Sequence, residues 1–400
     1  MKINTRIILI LVAAALLSVY THVIVFDNFM MPTFGNTNIH VAIARHIVEK
    51  SNYPLQDYSY GGTARDLYVP LYRIFLAFLV IVTGWSFDFV SRMIVLGIAI
   101  LLPLGFFLLG KKLFGENVGL ISAFLASVPG ELSYYTVRPL PQAVGLMLLP
   151  FAFYFLFKDS KWSFLFAFVL ALLHQETAAF YGLVCLAYLF YKFYSKAKYH
   201  IVIPLLILVV VGLNTLSRSY DDWSGVVFFS LTVFFAFELL FELTKNLGVK
   251  IKFHWLYLKN NFTKLFSGKN RVILLSGLIV AVTYLSWHYF IVGNLRLGDL
   301  SQFKYSEGNV VELDNFMRAT GLFLFSFTIT GILCVLIYKK DVFFWVILFF
   351  LNMLILKNDL IGIKSFMDRF IVYVMIFMIP LAAFAIEKIL SIVNNKTDKK

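Results

Sequence analysis

Long apolar runs broken by short polar segments recur from one end of the chain to the other. Runs of about 17 to 25 apolar residues can cross a hydrocarbon layer of about 30 Å as helices, because a helix bonds all its backbone polar groups internally. The pattern predicts spans near 7–26, 89–109, 118–135, 141–157, 162–176, 177–194, 201–216, 226–243, 272–292, 319–338, 342–356 and 370–387. One further run, Leu67–Gly84, carries Pro70 and Arg73 near its start and reads as a juxtamembrane helix rather than another crossing. The expected fold is all-α: one polytopic membrane-embedded domain over 1–400, with about 12 spans.

The polar breaks are unequal, and the largest is the first outer loop, 27–88. In "FGNTNIHVAIARHI", Phe34 to Ile47, Gly35 supplies a turn and Asn36 or Asn38 an N-cap. Ile39, Ile43 and Ile47 then form a stripe at i, i+4 and i+8, while Asn38, Arg45 and Glu49 point the other way. That spacing predicts a helix lying on the membrane. "SNYPLQDYSYGGTARDLYVP" follows as an irregular surface joining the two juxtamembrane helices.

Composition agrees with the pattern: 60% of the 400 residues are hydrophobic, 18% aromatic and only 14% charged, which no ordinary soluble domain needs. The net charge of +13 would point to nucleic acid in a soluble protein. Here it concentrates in alternate loops, among them Lys111 and Lys112, Lys158 and Lys161, Lys192 to Lys198, and the 245–271 loop. The positive-inside rule places those loops and both termini in the cytoplasm, provided that Leu67–Gly84 does not cross. The charge is therefore read as orientation and attraction to anionic membrane lipids, and no nucleic-acid partner is expected.

Lys2 and Arg6 precede a run with no small-residue cleavage site after it, so a retained first span is expected. The tail 391–400 reads as disordered. Cys185 and Cys334 fall inside predicted spans and indicate no disulfide framework. With no D-x-D, H-E-x-x-H or Cys/His ligand set, a tightly bound metal is not indicated, which leaves room only for a divalent cation held by scattered outer acids. The pair Asp221 and Asp222 in "YDDW" points apart on regular secondary structure and is a weak cation site.

Several segments together resemble the C-type membrane glycosyltransferases, in their prokaryotic, archaeal branch. They are a first span, a long outer loop with a "G-D-T-x-x-H"-like start and an amphipathic helix, a "YP" break, and a Pro-containing juxtamembrane stretch. "KKLFGENVGLISAFLASVPGELSYYTVRPLPQAVGLMLLPFAFYFL" resembles the third and fourth spans of that superfamily, and "LALLHQETAAFYGL" its histidine-bearing outer turn. "FMDRFIVYVMIFMIPLAAFAI" is similar to its last span, with an arginine at the outer end. The likeness covers most of 1–195 and 357–390. It implies transfer of a sugar from a polyprenyl (dolichyl) phosphate carrier to a glycan, lipid or protein acceptor on the extracytoplasmic side.

Such a transfer needs a base for the acceptor, positive charge or donors for the departing phosphate, and an apolar groove for the isoprenoid. The family's outer-loop aspartate falls on Asn36, and an amide cannot accept a proton at neutral pH. The base is therefore assigned to Asp27 in "VFDNF", with Asp57 and Asp66 behind it. His40 lies one helical turn after Asn36, and His174 and Glu176 occupy the turn after the fifth span. Arg138, in the two-proline turn "TVRPLPQ", suits a phosphate, and Arg369 beside Asp368 is a second phosphate ligand or a surface ion pair. The reading thus takes Asp27, His40 and Glu176 as catalytic and Asn36, Arg138, His174 and Arg369 as substrate-binding. Two competing readings are a transporter or lipid flippase, for which broken spans near the midplane are wanted, and a glycosyltransferase-like protein without catalysis, for which Asn36 speaks.

Overall fold

The computed structural model describes residues 5–28, 37–57, 64–65, 68–128, 130–194, 268–292, 311–357 and 367–397. The predicted spans 201–216 and 226–243, the basic loop up to 267, and Asn36 lie outside the described residues. Everything described is helical apart from connections and a two-residue antiparallel ribbon, β1 (Gln56–Asp57) with β2 (Ala64–Arg65), in the first loop.

The helices are α1 (Thr5–Asn28), α2 (Thr37–Lys50), α3 (Leu71–Thr83), α4 (Phe87–Phe114), α5 (Glu116–Ala126), α6 (Gly130–Thr136), α7 (Pro141–Phe157), α8 (Trp162–Leu173) and α9 (Gln175–Tyr194). After the undescribed stretch come α10 (Gly268–Ser286), which runs on as a π-helix over Trp287–Val292, then α11 (Leu313–Thr320), α12 (Leu322–Tyr338), α13 (Phe343–Leu356) and α14 (Met367–Thr397). Their apolar composition makes this an integral membrane protein. Among the described residues three helices are long and apolar enough to cross on their own, within α1, α4 and α14. The pair α11 and α12 qualifies jointly but is bent by 99°.

Local chemistry explains most boundaries. Ser86 caps α4 by accepting the Phe89 amide, and Asp88 in its first turn and Lys111 and Lys112 in its last complement the helix dipole. Pro141 opens α7 at its first turn, where a missing N–H costs nothing. Gly321, at φ 82°, is the corner between α11 and α12. The predicted span 118–135 is corrected to two helices, α5 and α6, because the chain reaches Ser127, Pro129 and Gly130 there and proline denies the helix a donor. α14 also runs on through Thr397, into the stretch read as a tail.

The core forms around α14. Its residues Ile371 to Ala385 are almost wholly buried, packed by α12, α13, α4 and α5. In lipid the packing of close surfaces replaces the hydrophobic drive, so small residues decide how near two helices come. A Cβ at Gly331 of α12 would fall onto the Leu381 carbonyl of α14, and one at Gly119 would fall onto the Phe107 carbonyl of α4. α3, by contrast, is only 13 residues long, about 20 Å at 1.5 Å per residue and short of the hydrocarbon thickness. It packs against α2, α4 and α8 and buries Tyr72, Arg73, Leu76 and Ala77.

Candidate functional site

The first outer loop folds onto the bundle through α2, by a face that shares Ile43 with the isoleucine stripe but is rotated toward His40. Thr37, His40, Val41, Ile43 and Ala44 are buried, whereas Ile39 and Ile47 are only half-buried. His40 is thereby turned into the protein, 2% exposed, against Tyr68 and Tyr72 at ring separations of 5.2 and 5.7 Å. The reason is a partner that the hydrophobic pattern could not supply. Arg73 of α3, fully buried, donates from Nε to His40 Nδ1 at 3.0 Å and from a terminal nitrogen to the Tyr53 hydroxyl at 2.9 Å, with the Tyr68 ring beneath its guanidinium at 5.2 Å. Tyr53 in turn stands edge-on to Trp287 at the π-helical end of α10.

α3 also reaches the turn that carries Arg138: the Tyr72 hydroxyl donates to the Pro139 carbonyl at 2.5 Å. The Arg138 guanidinium lies over the Tyr134 ring at 3.8 Å and near the Tyr135 ring at 5.1 Å, so α6 supplies its floor. α6 is tied to α1 by His22, whose Nε2 meets the Thr136 hydroxyl at 2.9 Å while Nδ1 faces the Ser18 carbonyl at 2.7 Å. Asp27 lies in the last turn of that same α1.

The turn between α8 and α9 closes the arrangement. His174 caps α9, its Nδ1 accepting the Thr177 amide at 3.3 Å and meeting the Thr177 hydroxyl at 2.9 Å. That hydroxyl is 3.0 Å from the Tyr373 hydroxyl of α14, which also has Gln142 of α7 beside it. Glu176 sits in the first turn of α9, where the helix dipole favours a carboxylate, and pairs with Arg369 of α14 at 3.5 Å. Arg369 is 43% exposed and Glu176 17%, so the pair straddles the rim, and solvent screens it.

His40, Arg138, His174, Glu176 and Arg369 are thus joined, through Tyr72, Tyr135, Tyr373 and Thr177, at one end of the bundle. Arg73, Tyr53, Thr177 and Tyr373 are additional members. Arg73 had a signal in the sequence, a cation within an apolar run, which in a membrane protein marks a site by default; the other three are neutral side chains whose meeting is purely tertiary. Among the described residues no three His, Cys, Asp or Glu side chains gather as metal ligands.

Electrostatics follow from burial beside cations. Burial holds the His40 pKa well below its ordinary value, with the Arg73 charge and then His174 adding to the depression. Burial also lowers His174, against the pull of Glu176 and with a push from Arg369. A histidine kept neutral in the folded state is protonated more readily when unfolded. Stability is therefore fully present above the unfolded value of about 6.5 and is lost as pH falls below it. The melting temperature of the purified protein is expected to drop between about pH 7 and pH 5, and His40→Gln to flatten that slope; an unchanged slope in the variant would clear His40 of the effect.

No family model and no curated protein matches the chain. Solved structures do. Archaeal oligosaccharyltransferase AglB from Archaeoglobus fulgidus, in complex with an inhibitory peptide and a dolichol-phosphate, superposes with a TM-score of 0.55 at 15% identity over 98% of this chain. This chain shares the fold of that oligosaccharyltransferase. The same Archaeoglobus fulgidus oligosaccharyltransferase in complex with Zn and sulfate gives 0.54 at 17% identity over 97% of this chain, and its form tethered to an acceptor peptide containing the NVT sequon gives 0.54 at 15% over 98%. The present chain spans about half the length of these proteins, 51, 49 and 50% respectively. At such identities the oligosaccharyltransferase fold is shared.

Proposed function

We propose that the chain is a membrane glycosyltransferase that moves a sugar from a polyprenyl-phosphate carrier to an acceptor on the extracytoplasmic side. The observation that carries this is the convergence of two buried histidines, three arginines and Glu176 at the end of the bundle where α1 delivers Asp27. In this reading the acceptor group attacks the anomeric carbon, its proton passes to Asp27, and the bond between that carbon and the phosphate oxygen breaks. The phosphate leaves with the electron pair, stabilised by Arg138 and Arg369. His40, Glu176, His174 and Asn36 shape the pocket. The solved relatives with bound dolichol-phosphate and acceptor peptide support a lipid-linked donor and a separate acceptor.

The reading includes about 12 spans, with both termini and the basic 245–271 loop in the cytoplasm, which the alternation of Lys- and Arg-rich loops supports. A transporter or flippase would want its ionisable groups along a path through the midplane. The clustering of the named groups at one end favours transfer over transport. The purified chain, given a panel of polyprenyl-phosphate sugars with a crude acceptor extract, is expected to release polyprenyl phosphate and label the acceptor. Movement of the lipid between leaflets with no sugar released would replace this reading by the flippase.

A further inference from the structure

Each of the two imidazoles of the cluster, His40 and His174, is fixed in one tautomer by a partner that can only donate. The guanidinium Nε of Arg73 always carries hydrogen and points it at Nδ1 of His40. The backbone amide of Thr177 does the same to Nδ1 of His174. Both Nδ1 atoms are therefore acceptors, and each neutral ring carries its proton on Nε2. Among the described residues, Nε2 of neither ring has a hydrogen-bond partner. The rings are 2% and 8% exposed, yet Nε2 of neither is among the fully enclosed side-chain atoms that lack a partner, so each Nε2–H keeps an open edge that an acceptor can reach.

The surrounding charge decides what that acceptor is. Facing the rings are Arg73 from α3, Arg369 from α14 and Glu176 from α9, with the Arg138 turn bonded to α3 alongside. Glu176 turns one oxygen to Arg369. Among these described groups the excess is cationic, which draws an anion; donors around a cationic site suit several oxygens on one group. A ring kept neutral beside arginines gives a hydrogen bond without giving up its proton.

We propose that His40 and His174 are a pair of Nε2–H donors that hold the non-bridging oxygens of a phosphate group, that of the lipid-linked donor. The assignment rests on the transferase reading above for the identity of the lipid, and on the two tautomers for the rest. It recasts His40 as a binding group, and no proton moves through either ring.

The test uses the full chain in neutral phosphatidylcholine nanodiscs with ¹⁵N-labelled histidine. Long-range ¹H–¹⁵N spectra are expected to show two neutral rings of the Nε2–H form, assigned by their loss in His40→Gln and His174→Gln. Their resonances are expected to move on addition of a polyprenyl phosphate. Glutamine places an amide N–H near the Nε2 position and asparagine places it near Nδ1. His→Gln is therefore expected to keep polyprenyl-phosphate affinity within about threefold, while His→Asn or His→Ala weakens it about tenfold or more per site.

Inorganic phosphate and phosphatidic acid are the comparison probes. Histidine-dependent binding of either supports the phosphate clamp and sizes the share due to the prenyl chain. An Nδ1–H signature in the wild-type rings, or wild-type affinity in folded alanine variants, overturns the proposal. Intact histidine-dependent phosphate binding in a protein that transfers no sugar removes the transferase reading and leaves the clamp standing.

Discussion

Asp27→Asn is expected to abolish sugar transfer while leaving the protein folded. The substitution keeps the size and polarity of the side chain but removes the only thing a base needs, a lone pair that can take a proton near neutral pH. Removing a positioned general base costs roughly 10²- to 10⁴-fold in rate. The helix that carries Asp27 is well anchored without it. The Ser127 hydroxyl donates to the Ala14 carbonyl at 2.9 Å, Thr21 donates to the Ser127 carbonyl at 3.2 Å, and His22 meets Thr136. The melting temperature of the variant should therefore match wild type while the initial rate with a polyprenyl-phosphate sugar falls to background. A rate close to wild type would remove Asp27 from the chemistry. Loss in Asp57→Asn or Asp66→Asn instead would move the base into the loop between α2 and α3.

Hydropathy made the membrane class and most helix positions legible, because the bilayer imposes length and apolarity on each crossing. α7 begins and ends where the sequence puts it, at Pro141 and Phe157, since a proline and a lysine mark its ends. The α8 to α9 turn at His174 was legible for a similar reason, the polar "HQE" interrupting two apolar runs. Where two apolar runs adjoin with only a small break, as at Ser127 to Gly130, hydropathy averages over the gap and sees one span. The inner face of α2 is legible in part: Ile43 is buried and Asn38, Arg45 and Glu49 are exposed as the stripe predicts, but the buried face is rotated from the stripe toward His40, which no scale of apolarity favours. The structure turns the His40 side inward, where Arg73 offers a bond that no lipid can.

The cluster at this end of the bundle is legible in the sequence in its charged and histidine members and not in its neutral ones. Ionisable residues at span ends are few enough in this chain to be picked singly, and His40, Arg138, His174, Glu176 and Arg369 were picked so. What links them is hydroxyls and carbonyls: Tyr72 to Pro139, and Tyr373 to Thr177. Tyrosine and threonine are common enough in this sequence that neither type nor spacing sets those apart. Arg73 is the instructive case: the loop charges that make Leu67–Gly84 a juxtamembrane helix say nothing about where the arginine within it points. Arg73 is wholly buried, held by His40, Tyr53 and the Tyr68 ring.

Arg138→Ala is expected to lower kcat by about 10²- to 10³-fold, the usual effect of removing one group that stabilises charge developing in the transition state. The residue is well prepared for that role. Pro139 and Pro141 restrict the backbone on one side, the Tyr72 bond to the Pro139 carbonyl fixes the turn, and the Tyr134 ring supports the guanidinium at 3.8 Å. Little conformational freedom is left to lose when a phosphate arrives. Arg138→Lys keeps the charge but loses the planar fork and the stacking, so its rate should fall between wild type and alanine. Tyr134→Phe, which keeps the ring face, should be nearly silent, whereas Tyr134→Leu should lower the rate without removing the charge. If Arg138 serves only lipid headgroups, the alanine variant would transfer sugar at the wild-type rate and differ only in its response to anionic lipid; that result would end its assignment to the leaving group.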